Sequence, residues 1–287
     1  MNRYNKTAII AAVVLGVAAF SPARAGFFGI KTPSLSDALR DVKASIETLA
    51  RAKDAVTTEN REKEEFRAKT QALKKIIELG KLEVADLRAR LANFRIEELV
   101  ADDFTFDAVE TANNLAGMLE GFAAYDDAAG VELLNAQNTA DIKKIASDMR
   151  AWREETYNPG VKKILSLGLL LQNRAALKTA SVRFDKILAD LRKLKSAELI
   201  SFETLQPSTT AAGASIRKAK ALNDDATGIM FHILRATPAS ENEERGAPLS
   251  AHERIANLLD QSFAELRAAY KAFLEMNGEV KKMLGVE

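Results

Sequence analysis

The chain has 287 residues, 41 basic and 40 acidic side chains, 6% aromatics and no cysteine. The missing thiols exclude disulfides, thiolate metal sites and a cysteine nucleophile, so stability has to come from packing. A balanced charge with few aromatics lacks the basic, base-stacking surface of a nucleic-acid binder, and no nucleic-acid partner is expected.

Arg3 and Lys6 precede an apolar run from Ala8 to Phe20, and Ser21-Pro22-Ala23-Arg24-Ala25 closes it with a small-x-small pattern. This predicts a signal peptide over 1–25, cut before Gly26, and a periplasmic or secreted mature protein. The apolar run has 13 residues, whereas a spanning helix takes roughly 20. The remainder, 26–287, holds 38 basic and 40 acidic residues and reads as a single domain. Its expected amino terminus, Gly26-Phe27-Phe28-Gly29-Ile30, offers Phe27, Phe28 and Ile30 either as a docking element or as an arm folded onto the core.

Helical periodicity then runs through the chain, with six prolines and almost no alternating β-branched segments. Ser34 and Asp37 suit a helix start, and a seam at three- and four-residue steps passes through Leu35, Leu49, Phe66, Leu73, Ile77, Val84, Leu87 and Leu91. Such a repeat points to supercoiled packing. Glu59 to Lys69 and Gly80 interrupt the apolar seam, and a bend or break is an even alternative there. Ala101-Asp102-Asp103 punctuates before a helix with Leu115, Leu119 and Phe122. Gly117 and Gly121 in that helix suit close approach of a neighbour, and Tyr125 to Gly130 is a candidate interruption.

Asn138 is placed to cap a helix carrying Ile142, Ile145, Met149 and Trp152. Tyr157-Asn158-Pro159-Gly160 reads as a turn, with Asn158 capping the next helix and two antiparallel helices packing along each other. Gln206-Pro207-Ser208 is the expected end of that second helix. A further helix runs through Ile216, Leu222, Ile229 and Ile233. The polar stretch 237–249 is expected to be a flexible acidic loop, after which Ser250 and Glu253 form a capping box for the last helix. The fold class is all-α, an elongated bundle of about five long helices with coiled-coil character.

The residues that could carry chemistry are sparse. His232 lies among apolar neighbours and reads as a partly buried core residue, while His252 reads as solvated; neither has metal-ligand spacing. No phosphate loop, dinucleotide fingerprint or nucleophile elbow is present. The pairs Asp102-Asp103, Asp126-Asp127 and Asp224-Asp225 lack the glycine and terminal glutamate of a calcium loop, and helix capping or solvation accounts for them. No catalytic, cofactor-binding or metal-ligating residue is therefore assigned, and a non-enzymatic protein without cofactor is expected.

Two further apolar features are candidate interaction sites. Trp152 and Tyr157 flank the expected turn. Leu167 and Leu170 lie in Ile164 to Leu171, a segment apolar nearly all round and therefore either central to a bundle or able to enter lipid or another subunit. The leading expectation is an exported interaction or scaffold protein with an envelope or secreted partner, itself among the candidates. The alternative is a helical pore-forming protein, whose general architecture this layout resembles and which would contact membrane and rearrange.

Overall fold

A computed structural model describes residues 40–44, 47, 58–99, 107–235 and 249–284. The signal-peptide segment 1–25, Phe27, Phe28 and Ile30, the helix start at Ser34, Asp102-Asp103 and positions 237–248 of the polar stretch lie outside the described residues. Within them the protein is all-α. Six α-helices follow one another: α1 Thr58–Ala92, α2 Ala108–Asn135, α3 Thr139–Trp152, α4 Asn158–Ser196, α5 Phe202–Arg235 and α6 Ala251–Leu284. A 3-10 turn occupies Ile96–Glu98 and a π-helical turn Arg153–Tyr157.

Helix starts follow local chemistry. The Asp107 carboxylate accepts from the amides of Val109 and Glu110 at the head of α2, both at 2.9 Å. Asn138 and Asp141 form a reciprocal capping box on α3, and Ser250 and Glu253 do the same on α6. α4 ends where Glu198 takes φ 60°, with Leu199 N donating to Leu194 O and Glu198 N to Lys195 O. That pair of bonds satisfies the last carbonyls and turns the chain without a glycine.

Several sequence expectations are corrected. Tyr157 to Gly160 do not turn, and no pair of antiparallel helices forms there: α3, the π-helical turn and α4 follow with no intervening loop. A proline at 159 cannot donate to the Glu155 carbonyl, and its ring would collide with that carbonyl in a regular helix. The wider turn accommodates both, with Asn158 N donating to Arg153 O, so Asn158 is helical and not a cap. α1 passes through Gly80 unbroken, and α2 passes through Tyr125 to Gly130 unbroken. Gly117 and Gly121 receive no close neighbour among the described residues. Pro207 lies inside α5 instead of ending α4. It stands near the helix start on an exposed face, where water can satisfy the Glu203 carbonyl that loses its donor.

The described residues group into two compact units. The first takes residues up to Asn93 with Asn113–Val161. Its core joins Val42, Leu73, Ile76, Ile77 and Leu79 to Ala129 and Leu133 of α2 and to Ile142, Ile145 and Met149 of α3. Leu87 and Leu91 of the α1 seam are buried as well.

The second unit takes Phe94–Ala112 and residues from Lys162 onward. α5 and α6 pack along each other, and their buried positions recur every seven residues: Leu205, Ala212, Ala219, Ala226 and Ile233 on α5, Ile255, Ser262, Ala269 and Met276 on α6. α4 adds Leu170, Leu177 and Leu191, with half-buried Phe184 in step between the last two. Small residues on α5 let the helices approach closely, while Leu, Phe and Met fill the space between them.

Candidate functional site

The densest polar chemistry lies in the first unit. α1 brings Gly80 and Glu83, one turn apart, against Asp126 of α2 and the π-helical turn. Arg153 and Tyr157, at the two ends of that turn, are both buried. Tyr157 donates its hydroxyl to Glu83 Oε2 at 3.0 Å, and Arg153 Nη2 donates to the same oxygen. The Arg153 guanidinium also lies 4.6 Å from the centre of the Tyr157 ring. A π-helical turn shifts side-chain register relative to an α-helix, and here it supports two residues aimed at one carboxylate.

Asp126 is 1% exposed, and neither carboxylate oxygen has a hydrogen-bond partner. It fits because Gly80 has no side chain: a Cβ at Gly80 would stand 2.6 Å from Asp126 Oδ2. Burial pushes the Asp126 carboxyl up to about 6; Arg153 and Lys81 oppose that shift, and Glu83 and Asp127 add to it. Burial, and then Glu83, hold the Tyr157 phenol well above its ordinary range. For Arg153 burial opposes the charge, yet Glu83 and Tyr157 outweigh it and keep the guanidinium pKa above its usual value. The neighbouring Asp127 is exposed and pairs with Lys81 at 2.5 Å.

An aromatic cluster closes over the group. Trp152 stacks on Tyr125 with ring centres 3.9 Å apart, and Phe122 meets Trp152 edge-on at 5.7 Å and Tyr157 at 4.9 Å. Gly160 has no Cβ to meet Phe122, which a side chain there would approach to 2.5 Å. The two glycines thus act alike, one admitting a carboxyl and the other an aromatic ring.

The second unit holds a separate polar layer. Asn223 Nδ2 of α5 donates to Asn173 Oδ1 of α4, and the Ser262 hydroxyl of α6 lies 2.9 Å from both Asn173 Oδ1 and Ala219 O. All three residues are buried in step with the seven-residue repeat, and Asn173 Nδ2 is left without an acceptor. Two turns earlier on α4, Ser166 Oγ and His252 Nδ1 are 3.0 Å apart.

Trp152 and Tyr157 come together in the aromatic cluster, at the π-helical turn instead of a chain reversal. Leu167 and Leu170 belong to the second unit and have no exposed surface; Ile164 is equally buried. His232 is exposed, contrary to the core position expected from its neighbours, because Phe231 and Ile233 take the buried face. His252 is half-buried against Ser166. Asp126-Asp127 and Asp224-Asp225 stand in the middle of helices and cap nothing.

Glu83, Asp126, Arg153 and the role of Gly80 were not expected from sequence. One signal was available: Leu115, Leu119, Phe122, Asp126, Ala129 and Leu133 follow one another at four- and three-residue steps, which puts Asp126 on the apolar seam.

Fold and site together define an all-α protein with a buried ionic and aromatic cluster in one unit and a hydrogen-bonded polar layer in the other. The chain matches no protein-family model, no curated protein and no solved structure.

Proposed function

We propose that the chain is an exported, non-enzymatic helical interaction or scaffold protein of the periplasm or cell envelope. Its first 25 residues supply the export pattern, and its helices build a bundle with coiled-coil character from the seven-residue repeats on α4, α5 and α6. Its partners are other envelope or secreted proteins, further copies of itself included. The buried polar groups serve structure: Glu83, Arg153 and Tyr157 pair with one another, and Asn173, Asn223 and Ser262 hold three helices in register.

The observation that carries this reading is the polar layer beside Ile164 to Leu171. A polar residue at a repeat position fixes helix register at some expense of stability. Withdrawing α4 into lipid would break the bonds of Asn173 and Ser166 and strand the Asn223 amide in an apolar site, although Ser262 keeps Ala219 O as an acceptor; each stranded buried group costs about 1 to 3 kcal/mol. A segment built to leave its bundle gains nothing from such fastening. Among the described residues, no helix is long and apolar enough to cross a membrane.

The test is light scattering and dye release on the mature protein. A scaffold keeps the same mass with and without lipid vesicles and releases no trapped calcein. Calcein release at submicromolar protein, lost in a well-folded Leu170→Asn variant, would overturn the proposal in favour of a pore-forming protein.

A further inference from the structure

Charge is segregated between helices. α2 carries five acidic residues and no basic one, whereas α4 carries nine Lys and Arg against two Asp. Local pairing does not cancel this excess. On α2 Asp126 is buried and Asp127 is paired, but Glu110, Glu120 and Glu132 are exposed and form no ion pair among the described residues. On α4 the same holds for Lys178, Lys186 and Arg192.

These charges border helix faces that no other described residue covers. On α2, Glu120 and Glu132 flank a strip formed by Gly117, Gly121, Ala124, Ala128 and Val131, with Val131 58% exposed and Leu134, near the strip's edge, 85% exposed. On α4, Lys178, Lys186 and Lys193, the last paired with Asp190, surround Val182, which is 63% exposed, and Ala189, with Asp185 the one acidic residue bordering both. Successive positions of the α2 strip are three or four residues apart and the two α4 positions are two turns apart, so each set lies on one face of its helix.

We infer that the acidic face of α2 and the basic face of α4 are complementary docking surfaces through which copies of this chain associate head to tail. The inference rests on the interaction-module reading above and names its partner as a second copy. The charge complementarity argues for it: the surface that fits each face is carried by the same sequence, and like faces repel, so a symmetric pairing of α2 with α2 or of α4 with α4 is disfavoured. The two patches differ, so each copy that docks leaves one free patch at either end, and growth continues until a ring closes or a filament forms. The α2 strip from Gly117 to Leu134 is about 26 Å long at 1.5 Å per residue, the scale of a small, transient contact that salt can dissolve. Small side chains on α2 allow the longer Lys178 and Lys186 to lie along it and reach Glu120 and Glu132. An anionic lipid surface is the competing occupant of the α4 face, but it leaves the acidic α2 face unexplained.

The experiment uses sedimentation velocity on the mature chain from about 0.03 M to about 1 M salt, where the screening length falls from roughly 30 Å to 3 Å. Two charge-reversed variants are compared, Glu120→Lys with Glu132→Lys and Lys178→Glu with Lys186→Glu. The altered residues are exposed, and circular dichroism checks that both variants fold. The wild type is expected to form species heavier than the monomer at low salt and to lose them at high salt. Each variant alone is expected to stay monomeric, because its two faces then carry the same sign. An equimolar mixture of the two is expected to regain association, because each face again meets its opposite.

A wild type that is monomeric at every salt concentration overturns the inference. So does a mixture that stays monomeric, or a wild type that binds anionic vesicles without self-associating. A monomeric wild type that also leaves vesicles intact removes this surface alone and leaves the interaction-module reading in place, since that reading is tested separately by calcein release.

Discussion

Replacing Asp126 with Asn tests whether the first unit is built around a carboxyl that folding keeps protonated up to about pH 6. Its pKa lies at about 6 in the folded protein against 3.8 in the unfolded chain. The folded state therefore holds a proton that the unfolded chain releases, and stability falls as pH rises from about 4 through 6, then levels off. Moving the carboxyl from 3.8 to about 6 corresponds to about 3 kcal/mol. Asn has nearly the same shape and does not titrate, so its variant should lack this component of the pH dependence. Its amide still needs partners, and a cost of about 1 to 3 kcal/mol is expected at all pH values. The readout is the difference in unfolding free energy between wild type and variant, measured by denaturant titration from pH 4 to pH 8. Trp152 is the only tryptophan and stacks on Tyr125, so its fluorescence follows this unit. The difference should shift by about 3 kcal/mol toward the variant as pH rises. A difference that stays constant across the range would refute the assignment of a buried, unpaired carboxyl.

Gly80→Ala should destabilise the wild type by about 1 to 3 kcal/mol, because its Cβ meets the Asp126 carboxyl, yet stabilise an Asp126→Ala background by up to about 1 kcal/mol through helix propensity; paired thermal melts check the change of sign. Leu87→Ala in the α1 seam should cost about 2 to 5 kcal/mol by leaving a cavity, and an unchanged melt would place that side chain outside the core. Ser262→Ala should cost about 1 kcal/mol by removing its hydrogen bonds in the polar layer, read by hydrogen exchange across α5 and α6.

Helices were legible in the sequence wherever the signal is local. Asn138 is a cap and Ser250 with Glu253 a capping box in both sequence and structure, and Leu73, Ile77, Val84 and Leu87 keep their seam in the core. What was not legible depends on partners distant in the chain. Glu83 meets Arg153 and Tyr157 70 and 74 residues away, and no periodicity encodes that pairing. Asn-Pro-Gly after Tyr157 has the local chemistry of a turn, but a widened helical turn also fits a proline when packing holds the helix together. The end of α4 was missed because Glu198 takes the left-handed position that glycine usually marks. Gly80 resembled a helix breaker until its neighbour was known: the missing side chain admits Asp126.

The central claim is that α4 stays seated in its unit when the protein meets a membrane. Hydrogen exchange read by mass spectrometry over Ile164 to Leu177, with and without anionic vesicles, tests it most directly. Buried helical amides held by a core and a polar layer exchange only through opening of the unit, so equal protection in both conditions is predicted. Protection lost over Ile164 to Leu171 on adding vesicles, with α5 and α6 still protected, would contradict the account.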